Sequence, residues 1–153
     1  LHNSGRKRLQ PAKAAGMAFL NIRNPKAIRP WQHVLEPLFG YIILAEKLME
    51  DPVRYTEGFN FGPNPKDTLT VEEMTEMAVK IWGKGNFDFL HLENQPHEAG
   101  LLSLDITKAR DVLGWTPHWT AQQALEHTLE WYKTYYEKPT EIFKMTLEQI
   151  KAY

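Results

Sequence analysis

The sequence predicts a helix-rich α/β fold with a few short strands, and three observations predict it. Two capping boxes, Thr70-Val71-Glu72-Glu73 and Thr120-x-x-Gln123, each open a run with apolar residues at helical spacing. Residues 38–49 carry a third helical pattern, in which Leu38, Ile42, Ala45 and Met49 make one stripe and Tyr41, Leu44 and Leu48 widen it. Short runs at 20–23, 58–62 and 87–92, bounded by turn-forming residues, read as strands.

In chain order, residues 1–8 read as a solvated basic tail, and residues 1–20 as a basic, alanine-rich leader to a lobe spanning 21–153. After the strand at 20–23 comes the run Ile22-Arg23-Asn24-Pro25-Lys26-Ala27-Ile28-Arg29-Pro30-Trp31-Gln32-His33-Val34-Leu35-Glu36-Pro37. A residue before proline is pushed toward extended geometry, so Asn24, Arg29 and Glu36 suit no helix interior. A helix begins near Val34 or Leu35, with Pro37 in its first turn, where the missing donor costs nothing. Its apolar stripe is wide enough to imply burial on more than one side, and Gly40 allows a neighbour close approach. Asp51-Pro52 ends it.

The strand at 58–62 closes on Gly62-Pro63-Asn64-Pro65. The helix capped by Thr70 buries Val71, Met74, Met77, Ala78 and Ile81, and Gly83 stops it. In the strand at 87–92, Phe87, Phe89 and His91 share one side. A polar loop follows at 93–100, then a further short strand at 101–104. A short helix at 105–113 ends at Gly114, and Trp115 is a packing residue. The helix capped by Thr120 buries Ala121, Ala124, Leu125, Thr128, Tyr132 and Tyr135 and breaks at Pro139. Thr146-x-x-Gln149 caps a last helix ending at Tyr153.

The 153 residues suffice for one domain with a real core, and 42% hydrophobic with 24% charged residues is ordinary for a globular chain. A formal net charge of -1 argues against a protein built to coat nucleic acid or an anionic membrane. With no cysteine there are no disulfides, thiolate metal sites or cysteine nucleophile, which fits a cytoplasmic location. No apolar run reaches the length of a membrane span, and the basic start is not followed by the apolar core of a signal peptide. The six histidines show no His-x-x-x-His spacing, so no metal motif is expected. Ser103 lacks the context of a nucleophile elbow.

The run at 22–37 has a chemistry of its own. Arg29 and Trp31 are two apart, so on an extended chain they share a face. A guanidinium grips phosphate bidentately and an indole offers a stacking plane, a pairing that suits an anion joined to a flat ring. A polar loop whose Trp31 plugs a neighbouring core is the other reading of the same residues, and both stay open. Asn60 reads as a polar residue on the strand's open face or as one bonding a nearby turn, and His97-Glu98 as ligand contacts or as ordinary loop residues.

The whole run at 22–37 resembles the substrate-lobe signature of the CDP-glucose 4,6-dehydratases, within the extended short-chain dehydrogenase/reductase superfamily. The resemblance continues through Gly40-Tyr41, Ala45-Glu46-Lys47-Leu48, Phe59-Asn60-Phe61-Gly62-Pro63, Pro96-His97-Glu98-Ala99, Leu104-Asp105, Lys108-Ala109-Arg110, Leu113-Gly114-Trp115-Thr116-Pro117 and Glu130-Trp131-Tyr132. The Leu-Gly-Trp-x-Pro and Asn-x-Gly pieces are common to many members of the superfamily, whereas the first run is specific. Arg8-Leu9-Gln10-Pro11 resembles the element that opens a substrate-side helix, but a short alanine-rich stretch follows it here.

The resemblance implies a partial extended short-chain dehydrogenase/reductase fold. Arg29 would hold the diphosphate, and Trp31 and Gln32 would line the nucleotide pocket, with Asn60, His97 and Glu98 around it. In the family, NAD takes a hydride from C4 of the hexose, water leaves across C5 and C6, and the hydride returns to C6. The product is a CDP-4-keto-6-deoxy sugar for surface polysaccharides. This sequence has no Gly-rich turn of the dinucleotide-binding kind. None of Tyr41, Tyr55, Tyr132, Tyr135 and Tyr136 is followed by lysine at the fourth position, so the superfamily's Tyr-x-x-x-Lys is missing too. The expectation is therefore a truncated dehydratase-like chain that binds or once bound a CDP-sugar without completing catalysis alone and holds no cofactor itself. A non-enzymatic interaction module from a split dehydratase is the alternative. Apolar surface left uncovered would favour a homo-oligomer, or a separate dinucleotide-binding chain.

Overall fold

The computed structural model describes residues 19–89 and 100–153. The expectations for the leader up to residue 18, for the end of the strand at 87–92 and for the loop holding His97 and Glu98 lie outside the described residues.

Two small ladders organise the strands. β1 (Phe19–Ile22) runs parallel to β4 (Asn86–Phe89), with Leu20 opposite Phe87 and Ile22 opposite Phe89. The period-two pattern places Phe87 and Phe89 on one face, their rings 5.6 Å apart. β2 (Ile28–Arg29) runs antiparallel to β3 (Leu69–Thr70), pairing Ile28 with Thr70 and Arg29 with Leu69. The strand expected at 101–104 is reduced to a single bridge: Ile28 N donates to Gly100 O (2.8 Å) and Leu102 N to Ile28 O (3.1 Å). The strand expected at 58–62 does not form. There the chain turns Phe61 into the core, and its carbonyl accepts from the Gln32 side chain (3.0 Å) instead of from a neighbouring strand.

The helices begin where the side chains cap them. In α1 (Leu35–Glu50), Pro37 sits in the first turn, so pre-proline Glu36 is helical only where the helix starts. Asp51 ends α1 and accepts from Arg54 N (3.1 Å) to open the single turn of α2 (Pro52–Tyr55). The Thr70–Glu73 box opens α3 (Val71–Trp82), and the left-handed Gly83 (φ 85°) closes it. The first N–H groups of α3 are also used: Val71 N donates to Ala27 O and Glu72 N to Pro25 O, both at 2.9 Å. α4 (Thr107–Leu113) starts two residues later than expected, because Asp105 accepts from Thr107 N (2.9 Å), and it ends at left-handed Gly114. The Thr120–Gln123 box opens α5 (Ala121–Glu137), which packs on α3 and on α6 (Ile142–Ala152). Thr146 caps nothing. The single 3₁₀ turn Pro139–Glu141 leads straight into α6, and Thr146 lies inside that helix, where its hydroxyl donates to Ile142 O and accepts from the Trp131 indole.

The central core gathers Tyr55, Phe61, Ile106, Ala109, Leu113 and Trp115, with Ile43, Leu44 and Leu48 of α1 against it. Trp115 is the packing residue its context implied, fully buried with its ring edge toward Phe61 (5.0 Å). A Cβ at Gly40 would overlap the Phe61 ring, so α1 approaches that ring only through glycine. Two expected faces turn outward instead. Leu38, Ile42, Ala45 and Met49 are exposed, and so are Tyr132 and Tyr135 of α5.

The cause on α1 is a buried carboxylate. Glu36, 0% exposed, accepts from His118 N (3.0 Å to Oε2), Trp119 N (2.8 Å to Oε1) and the Tyr153 hydroxyl (2.8 Å to Oε2). A charge out of water needs such donors, and three of them fix Glu36 inward. Residues 36, 40, 43 and 44 then share the inner face at helical spacing, and 38, 42, 45 and 49 fall on the opposite side. Burial, with the bond to Glu36, raises the Tyr153 hydroxyl above the ordinary tyrosine range. Around the carboxylate lies an aromatic shell, with Trp119 stacked on His127 (4.1 Å) and edge-on to His33 (4.9 Å).

His33 is 6% exposed, and its Nδ1 accepts from Leu35 N (3.3 Å) at the start of α1. Burial lowers its pKa, with nearby His127 adding to the effect and Glu36 opposing it.

Glu36→Ala should destabilise the fold by about 3 kcal/mol, since it leaves buried N–H donors unpaired; Tyr153→Phe should cost about 1 kcal/mol, both read by urea denaturation. Gly40→Ala should cost about 1–3 kcal/mol through overpacking against Phe61, in the same measurement. The folded state holds His33 neutral, so it binds fewer protons than the unfolded chain. Its contribution is present above about pH 6.5 and is lost as pH falls toward the depressed folded-state value. His33→Asn, whose amide oxygen accepts the same N–H, should flatten the fall in melting temperature between pH 7.5 and 5.

Candidate functional site

A cleft of about 360 Å³ opens between the end of β2, the turn after Gly62 and the segment 101–105. Arg29 and Pro30 form one side, Pro63 and Asn64 another, and Ser103 and Asp105 the third. Prolines stiffen two of the walls. A Cβ at Gly62 would overlap Leu104, so the chain before Pro63 approaches the 101–105 segment only through glycine.

Several polar groups on and behind the cleft are held by the fold. Arg29 is placed by its pairing with Leu69, and its Nη1 donates to Ile28 O (2.8 Å). Asp105 is ordered by the N–H of Thr107, and the hydrogen bonds from Thr107 keep its carboxyl below the usual carboxylate range. Asn60 is exposed and donates to Asp105 O (3.2 Å), bracing the wall from behind. Asn64 accepts from Lys66 N (3.0 Å) within its own turn. Asp67, at the end of that turn, accepts from Ala121 N and so ties the wall to the start of α5.

The structure brings together some of the residues singled out in the sequence and separates others. Trp31 does not continue β2. Its backbone N–H donates to Arg29 O (3.0 Å), a three-residue turn that replaces the extended geometry expected between the two residues. Its indole N–H donates to Leu69 O (3.0 Å), which fastens it to β3. Gln32 lines a second, larger cavity of about 590 Å³ with Leu35, Trp131, Tyr132 and Ile150, and its Oε1 is buried without a hydrogen-bond partner. Arg29 and Gln32 therefore stand on different cavities. His97 and Glu98 lie outside the described residues. Ser103 and Asp105 joined the site only in three dimensions. In the sequence, Asp105 stood out only as the expected start of the helix at 105–113 and within the Leu104-Asp105 pair of the resemblance, and Ser103 only as a hydroxyl without an elbow.

A guanidinium lining the same cleft as a hydroxyl and an ionised carboxylate suits a ligand that is anionic in one part and rich in hydroxyls elsewhere. The guanidinium donates to phosphate oxygens, while a carboxylate accepts from sugar hydroxyls and repels phosphate. Among the described residues no group of acidic and histidine side chains is arranged to hold a metal ion.

Among the described residues, no strand-to-helix turn fits the dinucleotide implied by the resemblance. Dinucleotide binding needs glycines that let pyrophosphate approach a helix N-terminus following a strand. The direct strand-to-helix turn here, β3 to α3, carries Thr70, and the first helical N–H groups already serve Ala27 and Pro25. Of the glycines, Gly40 faces Phe61, Gly62 faces Leu104, and Gly83 and Gly114 close helices.

No protein-family model matches the chain. A CDP-glucose 4,6-dehydratase from Salmonella typhimurium (strain LT2) is 46% identical over 114 residues, covering 74% of this chain and 32% of that protein. Among solved structures, the dTDP-glucose 4,6-dehydratase of Bacillus anthracis in complex with NAD superimposes with a TM-score of 0.61 at 19% identity, over 79% of this chain and 36% of that one. A mutant UDP-glucuronic acid 4-epimerase from Bacillus cereus, in complex with UDP-4-deoxy-4-fluoro-glucuronic acid and NAD, gives 0.57 at 20% identity, over 76% and 35%. The chain spans about a third of the length of each of these relatives. By sequence the chain is similar to one part of a CDP-glucose 4,6-dehydratase, and by structure it is part of an extended short-chain dehydrogenase/reductase fold.

Proposed function

We propose that the chain is the substrate-side lobe of a sugar-nucleotide 4,6-dehydratase-like protein and binds a CDP-sugar in the Arg29 cleft. The observation that carries this reading is the cleft itself, which Arg29, Ser103 and Asp105 line together with Pro30, Pro63 and Pro65. Arg29 takes the diphosphate, and Ser103 and Asp105 bond hydroxyls. Asn60 and Trp31 hold the walls through Asp105 O and Leu69 O. His97 and Glu98 belong to the proposed nucleotide contacts, just before Gly100, whose carbonyl accepts from Ile28 beside the cleft. Gln32, on the neighbouring cavity, belongs to them if the base reaches past β2.

In this reading the lobe positions its ligand and does not carry out dehydration itself. The sequence has neither the glycine cradle for NAD nor the Tyr-x-x-x-Lys pair. Chemistry on the bound sugar would need both from outside these residues. No helix among the described residues is long and apolar enough to cross a membrane.

Calorimetric titration of the chain with CDP-glucose tests the proposal, with UDP-glucose as control and circular dichroism checking the fold. Saturable binding of CDP-glucose is expected, weakened about tenfold or more by Arg29→Ala, as befits a charged hydrogen bond worth roughly 1.5–3 kcal/mol. No heat from the folded chain, or unchanged affinity in the variant, would contradict it.

A further inference from the structure

Asp105 carries a charge that its structural task does not require. Its Oδ1 accepts from Thr107 N (2.9 Å) at the start of α4. That bond needs an oxygen, not an ion, since asparagine caps helices as well as aspartate does. Yet the carboxyl is ionised at neutral pH, because the hydrogen bonds from Thr107, with Arg110 adding to them, hold it below the usual carboxylate range. The side chain is exposed, and it lines the same cleft as Arg29.

Among the described residues that line this cleft, Arg29 is the only cation and Asp105 the only anion; the rest are prolines, leucines and the neutral polar groups of Asn64, Thr68 and Ser103. The charges of a CDP-sugar lie on its diphosphate, which is the part that a guanidinium receives. A sugar that itself carries a carboxylate brings a further negative charge to the same cleft. Asn64, Thr68 and Ser103 can bond hydroxyls but cannot neutralise that charge, and Asp105 repels it.

We propose that Asp105 makes the cleft selective for neutral sugars, rejecting uronic acids and other sugars that carry a negative charge. The proposal rests on the CDP-sugar reading of the cleft and adds to it the residue that sets which sugars are accepted. Two like charges about 4 Å apart in water-like surroundings repel strongly enough to change affinity about fivefold.

Calorimetric titration with CDP-glucose and with CDP-glucuronic acid tests it, because the two ligands share the nucleotide and differ at C6 of the sugar. The unaltered chain should bind CDP-glucose about fivefold more tightly or better. Asp105→Asn keeps an oxygen for Thr107 N, so the variant should fold, as circular dichroism will show, and the preference should fall to about twofold or less. A residue that only caps α4 would leave the ratio where it was. A second measurement needs no variant: in about 1 M sodium chloride, where the screening length is roughly 3 Å, the preference of the unaltered chain should shrink. Equal affinity for the two ligands would overturn the selectivity and leave CDP-glucose binding standing. So would a preference that Asp105→Asn or salt leaves unchanged. No binding of CDP-glucose to the folded chain would instead overturn the reading beneath the proposal, and the proposal with it.

Discussion

Glu36 is the constraint on which the arrangement of this chain depends. A carboxylate at the first turn of a helix is ordinarily solvated, yet here it is fully buried and met by two backbone N–H groups and a phenol. Leaving water is costly for a charge, and only close donors offset the cost. One side chain thereby joins three places far apart in sequence: the start of α1, the turn at 118–119 and the end of α6. It also sets the rotation of α1. With Glu36 inward, Gly40 must face Phe61, and the most apolar stripe of the helix must face out.

This rotation explains where the sequence could be read and where it could not. Both capping boxes were legible, because Thr70 with Glu73 and Thr120 with Gln123 lie within one turn of each other. The stops at Gly83 and Gly114, the close approach at Gly40 and the packing role of Trp115 were legible for similarly local reasons. The orientation of α1 was not. Its two faces are both apolar, and the choice between them is made by donors more than eighty residues away. The box read at Thr146 fits the pattern of a cap but lies inside α6, since the turn at Pro139–Glu141 starts that helix earlier. The strand read at 58–62 gave way because Phe61 is needed in the core and Gln32 takes its carbonyl.

The candidate site shows the same division. Arg29 was identifiable from its proline-bounded run, and the structure places it on a cleft. Its companions were not identifiable, because Ser103 and Asp105 reach the cleft through the bridge between Ile28 and Leu101, a pairing across some seventy residues. In the proposed reading, the cation, hydroxyl and carboxylate lining the cleft are the groups that hold the ligand. Among the described residues no strand-to-helix turn offers a dinucleotide cradle, and in the proposed reading these residues serve the substrate.

The most direct test of that reading is a crystal structure of the chain with CDP-glucose bound. The account predicts the diphosphate within hydrogen-bonding distance of the Arg29 guanidinium, with sugar hydroxyls on Ser103 and Asp105 between the Pro63 turn and the 101–105 segment. A nucleotide lodged in the larger cavity beside Trp131, with Arg29 turned away from it, would contradict the account.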